Sequence, residues 1–309
     1  MAIPDYPSLI DDATWTFVRA SEAAYPPDTA SLTVADQRLI YDRMCRTFHQ
    51  GYPDGVTSQD RHIAGVPCRI FSGAQPTVIY LHGGGFVVGG LHSHDDVCAQ
   101  LCHATGLTVV AVDYRLAPEH LHPAAFDDAL AVTRAVAAHG PVIMAGDSAG
   151  GNLAAAVTHA LRAAPGAVLG QVLIYSGLGG DQNADSYLEH AHAPMLTRED
   201  CIFYSAVRHA GNIPAGDPTA APLHDPDFSG LPPTLAIYAQ CDPVAGDSRQ
   251  YVAQITSAGG RAHAIEEAGL VHGYLRARAT VPRAAASFAR ICSAITSLAN
   301  GQWPYGDTS

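Results

Sequence analysis

The sequence predicts an α/β protein built on a doubly wound, mostly parallel sheet of about eight strands. Two observations carry that prediction. Short, near-continuous apolar runs recur at 77–81, 108–112, 141–144, 171–175 and 234–238, and strands of this kind are buried on both faces, as in a parallel sheet. Helix-like stretches lie between them, at about 94–105, 124–139, 149–164 and 247–258, so β and α alternate along the chain.

Taken in order, residues 1 to about 50 mix apolar and polar positions, with Trp15, Phe17 and Val18 early and Leu39, Ile40, Met44 and Phe48 later. Those spacings suit amphipathic helices, and Tyr25-Pro26-Pro27-Asp28 breaks them. Segments 61–64 and 66–71 flank Gly65 like a small hairpin before the sheet proper begins. A last strand is expected at 261–265, followed by a glycine-flanked loop at 269–274. No internal repeat or low-complexity segment interrupts this order.

The chain has 309 residues, ample for a substantial core. Its 17 basic and 29 acidic residues give a net charge of −12, which argues against a nucleic-acid or anionic-membrane partner, because a basic patch is the usual footprint of both. Seven scattered cysteines fit reduced thiols better than a disulfide framework. Cys98 and Cys102, four apart on a predicted helix, read as two buried thiols, since no second Cys or His pair has structural-zinc spacing. No metal or cofactor is expected. The start, Met1-Ala2-Ile3-Pro4-Asp5-Tyr6, has neither a positive n-region nor an apolar h-region. No apolar run approaches the ~20 residues that span a bilayer. The expectation is a cytoplasmic protein without membrane insertion.

The chemistry collects after the strand ends. Gly146-Asp147-Ser148-Ala149-Gly150, between the 141–144 strand and a helix, is a nucleophile-elbow pattern. A strained turn there exposes a hydroxyl, and glycines on either side keep Cβ atoms out of the corner. After the 77–81 strand comes His82-Gly83-Gly84-Gly85-Phe86, whose consecutive glycines can turn backbone N–H groups towards an oxyanion. His82 reads as a residue that positions this loop.

A nucleophilic Ser needs a base and an orienting acid, which in such folds follow it in the order acid, then His. Asp242 stands at the end of the 234–238 strand, and His272 alone among 16 histidines follows a late strand in a glycine-flanked loop. His263 lies within a strand, and His120 and His122 precede the elbow. Asp247 rivals Asp242 as the acid, but it lies five residues further on and within the next helix.

Together these blocks resemble the hormone-sensitive-lipase-like branch of the α/β-hydrolases, the bacterial family IV esterases. His82-Gly83-Gly84-Gly85-Phe86 corresponds to HGGGF, Asp113-Tyr114-Arg115-Leu116-Ala117-Pro118-Glu119-His120 to DYRLAPEH, and Gly146–Gly151 to GDSAGG. Asp242-Pro243-Val244 is similar to DPL and His272-Gly273-Tyr274 to HGF. The resemblance covers roughly residues 60–295. It departs at Val244 for Leu, Tyr274 for Phe, and Ser176 where proline is common. It implies an α/β-hydrolase fold in a single domain, 1–309, with a helical cap from about 1–50 and 179–215. Thr197-Arg198-Glu199-Asp200 already reads as a helix start in the second part. It further implies Ser148 as nucleophile, His272 as general base and acid, Asp242 as orienting carboxylate, and the amides of Gly83, Gly84 and Ala149 as the oxyanion hole.

The expected function is a serine carboxylesterase that hydrolyses small-molecule, short-chain acyl esters through an acyl-enzyme. An amidase, formamidase or carbamate hydrolase would use the same triad. A non-catalytic small-molecule receptor is the other alternative, and the presence of His272 weighs against it. Candidates to face the substrate are Trp15, Phe17, Phe86, Tyr187, Phe203 and Tyr204, and an exposed edge strand near 261–267 leaves a homodimer open.

Overall fold

An apolar run buried on both faces requires helices above and below it, and the computed structural model supplies both layers. It describes residues 4–26, 29 and 32–306; Met1–Ile3 at the amino end, and Pro27 and Asp28 of the predicted helix break, lie outside them. Strands β1 (Ser58–Ile63), β2 (Val66–Phe71), β3 (Ala74–Leu81), β4 (Leu107–Val112), β5 (Val142–Asp147), β6 (Val168–Ile174), β7 (Thr234–Cys241) and β8 (Ala262–Val271) form one sheet in the order β1-β2-β4-β3-β5-β6-β7-β8. The pairs β1–β2 and β2–β4 are antiparallel and the others parallel. The predicted hairpin turns on Ala64 (φ 51°) and Gly65 (φ 84°), the two left-handed positions that a two-residue turn requires.

Successive strand residues point to opposite faces, so the sheet serves two cores. Val78 and Tyr80 of β3 join one cluster with Leu101 of α4 (Asp95–Thr105) and Ile295 of α10 (Pro282–Ala299). Ile79 and Leu81 join the other, with Phe126 of α5 (Ala124–Ala137), Leu153 of α6 (Ala149–Leu161) and Ile255 of α9 (Ala245–Ser257). Cys98 and Cys102 are buried, unbridged thiols on α4.

At the amino end, α1 (Tyr6–Leu9), α2 (Asp12–Glu22) and α3 (Val34–Thr47) pack on the first core through Tyr6, Phe17 and Met44. Asp11 and Thr33 cap α2 and α3 by accepting from the amides of Thr14 and Asp36. Leu39, expected on the buried face of α3, is 61% exposed. Arg38 anchors α3: its Nε donates to Val87 O (2.8 Å), Nη2 to Ala117 O (2.9 Å), and both Nη atoms engage the Glu119 carboxylate.

After β6 come α7 (Asp185–Glu189) and α8 (Arg198–His209). Thr197 and Asp200 form a reciprocal capping box that starts α8 where the sequence signals a start. β8 runs to Val271, further than the expected 261–265, and delivers His272 directly from a strand end. No helix among the described residues is long and apolar enough to cross a membrane.

Candidate active site

Ser148 joins β5 to α6 with φ 54° and ψ −119°, a conformation that non-glycine residues rarely adopt. Its amide is held by Ile174 O at 2.8 Å. The room beside it depends on missing side chains. A Cβ on Gly150 would lie 1.9 Å from Leu81 O, and one on Gly151 1.7 Å from Ser176 Oγ. Strand β3, helix α6 and the turn after β6 therefore approach more closely than any larger residue allows.

Two other strand ends bring side chains to this hydroxyl. His272 Nε2 lies 2.8 Å from Ser148 Oγ, and its Nδ1 lies 2.7 Å from Asp242 Oδ2. With the Nδ1 proton donated to the carboxylate, Nε2 is left as the acceptor for the serine O–H. Asp242 is fully buried, and its Oδ1 accepts the Val244 amide at 3.0 Å. Asp247, the rival acid, is engaged elsewhere. Its Oδ2 accepts from the amides of Leu178 (2.6 Å), Gly179 (3.1 Å) and Gly180 (3.2 Å) and from Tyr187 Oη (3.2 Å). Burial nonetheless pushes its pKa up to about 6.

The glycine loop amends one expectation. The Gly83 amide, placed by resemblance in the oxyanion hole, instead donates to Asp147 Oδ1 at 3.1 Å. Asp147 is almost wholly buried and needs every donor it can find, because a desolvated carboxylate is costly unless hydrogen-bonded. Tyr80 Oη (2.8 Å) and His94 Nε2 (3.2 Å) also contact it. Burial opposes its charged form, yet the His94 imidazole holds Asp147 below the usual carboxylate range. Among the described residues, the amides of Gly84, Gly85 and Ala149 donate to no protein acceptor. Nothing in the pentapeptide pattern marks its second residue as such a hub.

His82 steadies the loop as expected. Its Nδ1 lies 2.8 Å from Gly83 O, and its ring stacks on Tyr114 with centroids 4.3 Å apart. With Nδ1–H donating, Nε2 is a buried atom without a partner among the described residues, and a proton there would meet no acceptor among them. Burial and the neighbouring His94 push the His82 pKa down to about 4. An unfolded histidine titrates near 6.5, so below that pH the unfolded chain takes a proton that the folded chain declines. The stabilisation is complete above pH 6.5 and is lost towards pH 4. His82→Asn is therefore expected to lessen the pH dependence of unfolding by about 1.4 kcal/mol per pH unit in this window. Denaturant unfolding at pH 5 and 7 measures this; an unchanged difference between wild type and variant contradicts it.

Ser148, His272, Gly85 and Ala149 line a cavity of about 520 Å³, within the range of small-molecule sites. Of the aromatic candidates, Phe86, Tyr187 and Tyr204 line it, while Phe17 is in the core and Trp15 and Phe203 face elsewhere. A model of the alpha/beta hydrolase fold family matches residues 78–276. The esterase LipI of Mycobacterium tuberculosis is 39% identical over 220 residues, covering 68% of each chain. The chain belongs to the α/β-hydrolase superfamily, in its hormone-sensitive-lipase-like branch.

Further relatives of this hydrolase agree. Carboxylesterase NlhH of Mycobacterium tuberculosis is 37% identical over 235 residues, 71% of this chain and 73% of the relative. The solved structure of a hyperthermophilic esterase from Pyrobaculum calidifontis superposes with a TM-score of 0.81 at 31% identity, covering 87% of this chain and 95% of that one. The departures from the branch's motifs have local consequences. Val244 lines the cavity, the hydroxyl of Tyr274 meets Ser287 Oγ at 2.7 Å, and Ser176 occupies the space left by Gly151.

Proposed function

We propose that this carboxylic ester hydrolase is a serine enzyme cleaving short-chain acyl esters through an acyl-enzyme, with Ser148, His272 and Asp242 as its triad. Its main support is the unbroken hydrogen-bonded chain from Ser148 Oγ through both ring nitrogens of His272 to Asp242, beside a cavity of about 520 Å³. His272 Nε2 takes the serine proton as Oγ attacks the ester carbonyl, and Asp242 stabilises the resulting imidazolium. The amides of Gly84, Gly85 and Ala149 receive the developing oxyanion. His272 then protonates the departing alcohol, and water repeats the sequence in reverse on the acyl-enzyme.

The two parts of the proposed cap divide the work within a single domain. The 179–215 part supplies Tyr187, Cys201, Tyr204 and Arg208 to the lining. The amino-terminal part contributes no lining residue among those described; it braces the loop after the glycines through Arg38. Turnover of p-nitrophenyl esters from acetate to dodecanoate, beside a matched p-nitroanilide, tests the substrate class. The fastest turnover is expected for acyl groups of a few carbons, with the anilide far slower. Preference for dodecanoate would overturn the short-chain assignment, and preference for the anilide would point to an amidase.

A further inference from the structure

Arg208 is an anomaly in an esterase cavity. It lies near the end of α8, is only 6% exposed, and lines the same cavity as Ser148 and His272. A guanidinium in that position would ordinarily be matched by a carboxylate, since an uncompensated buried charge is costly. Among the described residues no carboxylate lies within ion-pair distance of it.

Its protein contacts are neutral. The guanidinium stacks on the face of Phe86, 3.6 Å from the ring centroid, directly after the glycine loop. Nη1 donates to Ala220 O at 2.9 Å, and Nη2 lies 3.4 Å from His122 Nδ1. His122 turns its Nε2 to Asp217 Oδ2 at 3.1 Å, so Nδ1 is its acceptor face. Burial and then Arg208 itself lower the pKa values of both His122 and His209, the latter to about 4. Both imidazoles are thus neutral beside the cation at pH 7. Burial pushes Arg208 down to about 9, still protonated there. Of the five N–H donors of a guanidinium, two are used in this way, and the rest meet no acceptor among the described residues.

The placement is relevant to the reaction. Ala220 O, which holds Arg208, also accepts from Asn152 Nδ2 at 3.1 Å, and Asn152 is one helical turn beyond Ser148. The one acidic residue in the lining, Asp181, is exposed and has its Oδ1 occupied by the Asn183 amide at 2.9 Å. Asp217 acts on Arg208 from behind His122 and lies outside the lining, so the positive charge reaches the cavity without a competing buried anion in it.

We propose that Arg208 is a specificity residue that binds a carboxylate on the substrate, so that the preferred esters are anionic, such as half-esters of short dicarboxylic acids. This deepens, and rests on, the serine esterase assignment above. The desolvation of the cation is already met by the fold, and a planar carboxylate can take its free N–H fork in two parallel hydrogen bonds. Neutral esters of the same length leave that fork unpaired.

The test compares kcat/KM for monoethyl glutarate and diethyl glutarate in wild type, Arg208→Met, Arg208→Lys and Ser148→Ala. The half-ester to diester ratio is expected to fall on the order of 10- to 100-fold in Arg208→Met, the range of a charge-assisted hydrogen bond. Arg208→Lys, which keeps a point charge, should fall less. An unchanged ratio in Arg208→Met overturns the proposal. Should that variant fail to fold, wild type still decides. Free glutarate is expected to inhibit neutral-ester turnover at least about tenfold more strongly than glutaramide; equal inhibition overturns the proposal. If Ser148→Ala turns over both esters, the serine esterase reading itself fails. If it is inactive while the ratio stays fixed in Arg208→Met, only the anion preference fails.

Discussion

Ser148→Ala is expected to lower kcat on a short p-nitrophenyl ester by about 10⁶, the loss seen when a serine hydrolase is deprived of its nucleophile. In the proposed mechanism this hydroxyl forms the acyl bond, and His272 Nε2, 2.8 Å away and facing it, takes its proton. On the proposed mechanism, what remains after its removal is the electrostatic help of the Gly84, Gly85 and Ala149 amides, worth on the order of 10³-fold over water. Alanine also fits the elbow without new contacts, so the variant should melt near wild type. Activity within tenfold of wild type would contradict the assignment.

Asp242→Asn is expected to cost about 10⁴ in kcat, by analogy with other triads. Asn can offer its amide N–H to His272 Nδ1, which drives the ring proton to Nε2. The face towards Ser148 then donates where it must accept. Asp247→Asn provides the contrast. Asp247 is a fully buried acid only five residues away, but its Oδ2 holds the 178–180 amides and Tyr187, and an asparagine oxygen can still accept from those donors. A much smaller loss is expected there. If Asp247→Asn is the more damaging of the two, Asp242 is not the orienting acid.

Much of the fold follows from local pattern. Each apolar run became a strand of the parallel sheet, and the elbow, the glycine loop, Asp242 and His272 all lie where strands end, because those signals need only a few neighbouring residues. α10 lies outside the sequence-derived helices although its buried positions 284, 287, 291, 295 and 298 recur at three- and four-residue steps; that period is present in the sequence. Other features have no local signature. Arg38 finds Glu119 from 81 residues away, and Asp147 draws Gly83 from 64 away. The second of these contacts occupies the Gly83 amide, which a motif of three equivalent glycines cannot reveal. Arg208 has no motif around it in the sequence and stands in the last turn of α8. The packing of α8 over Phe86 turns it inward, where no carboxylate among the described residues lies within ion-pair distance.

The central claim, that Ser148 is the nucleophile, is tested most directly by reaction with a serine-directed phosphonate followed by peptide mass spectrometry. A single adduct on the peptide carrying Ser148, formed in step with loss of esterase activity and absent from Ser148→Ala, is the expected result. An adduct on another residue, or full activity in the labelled protein, would contradict it.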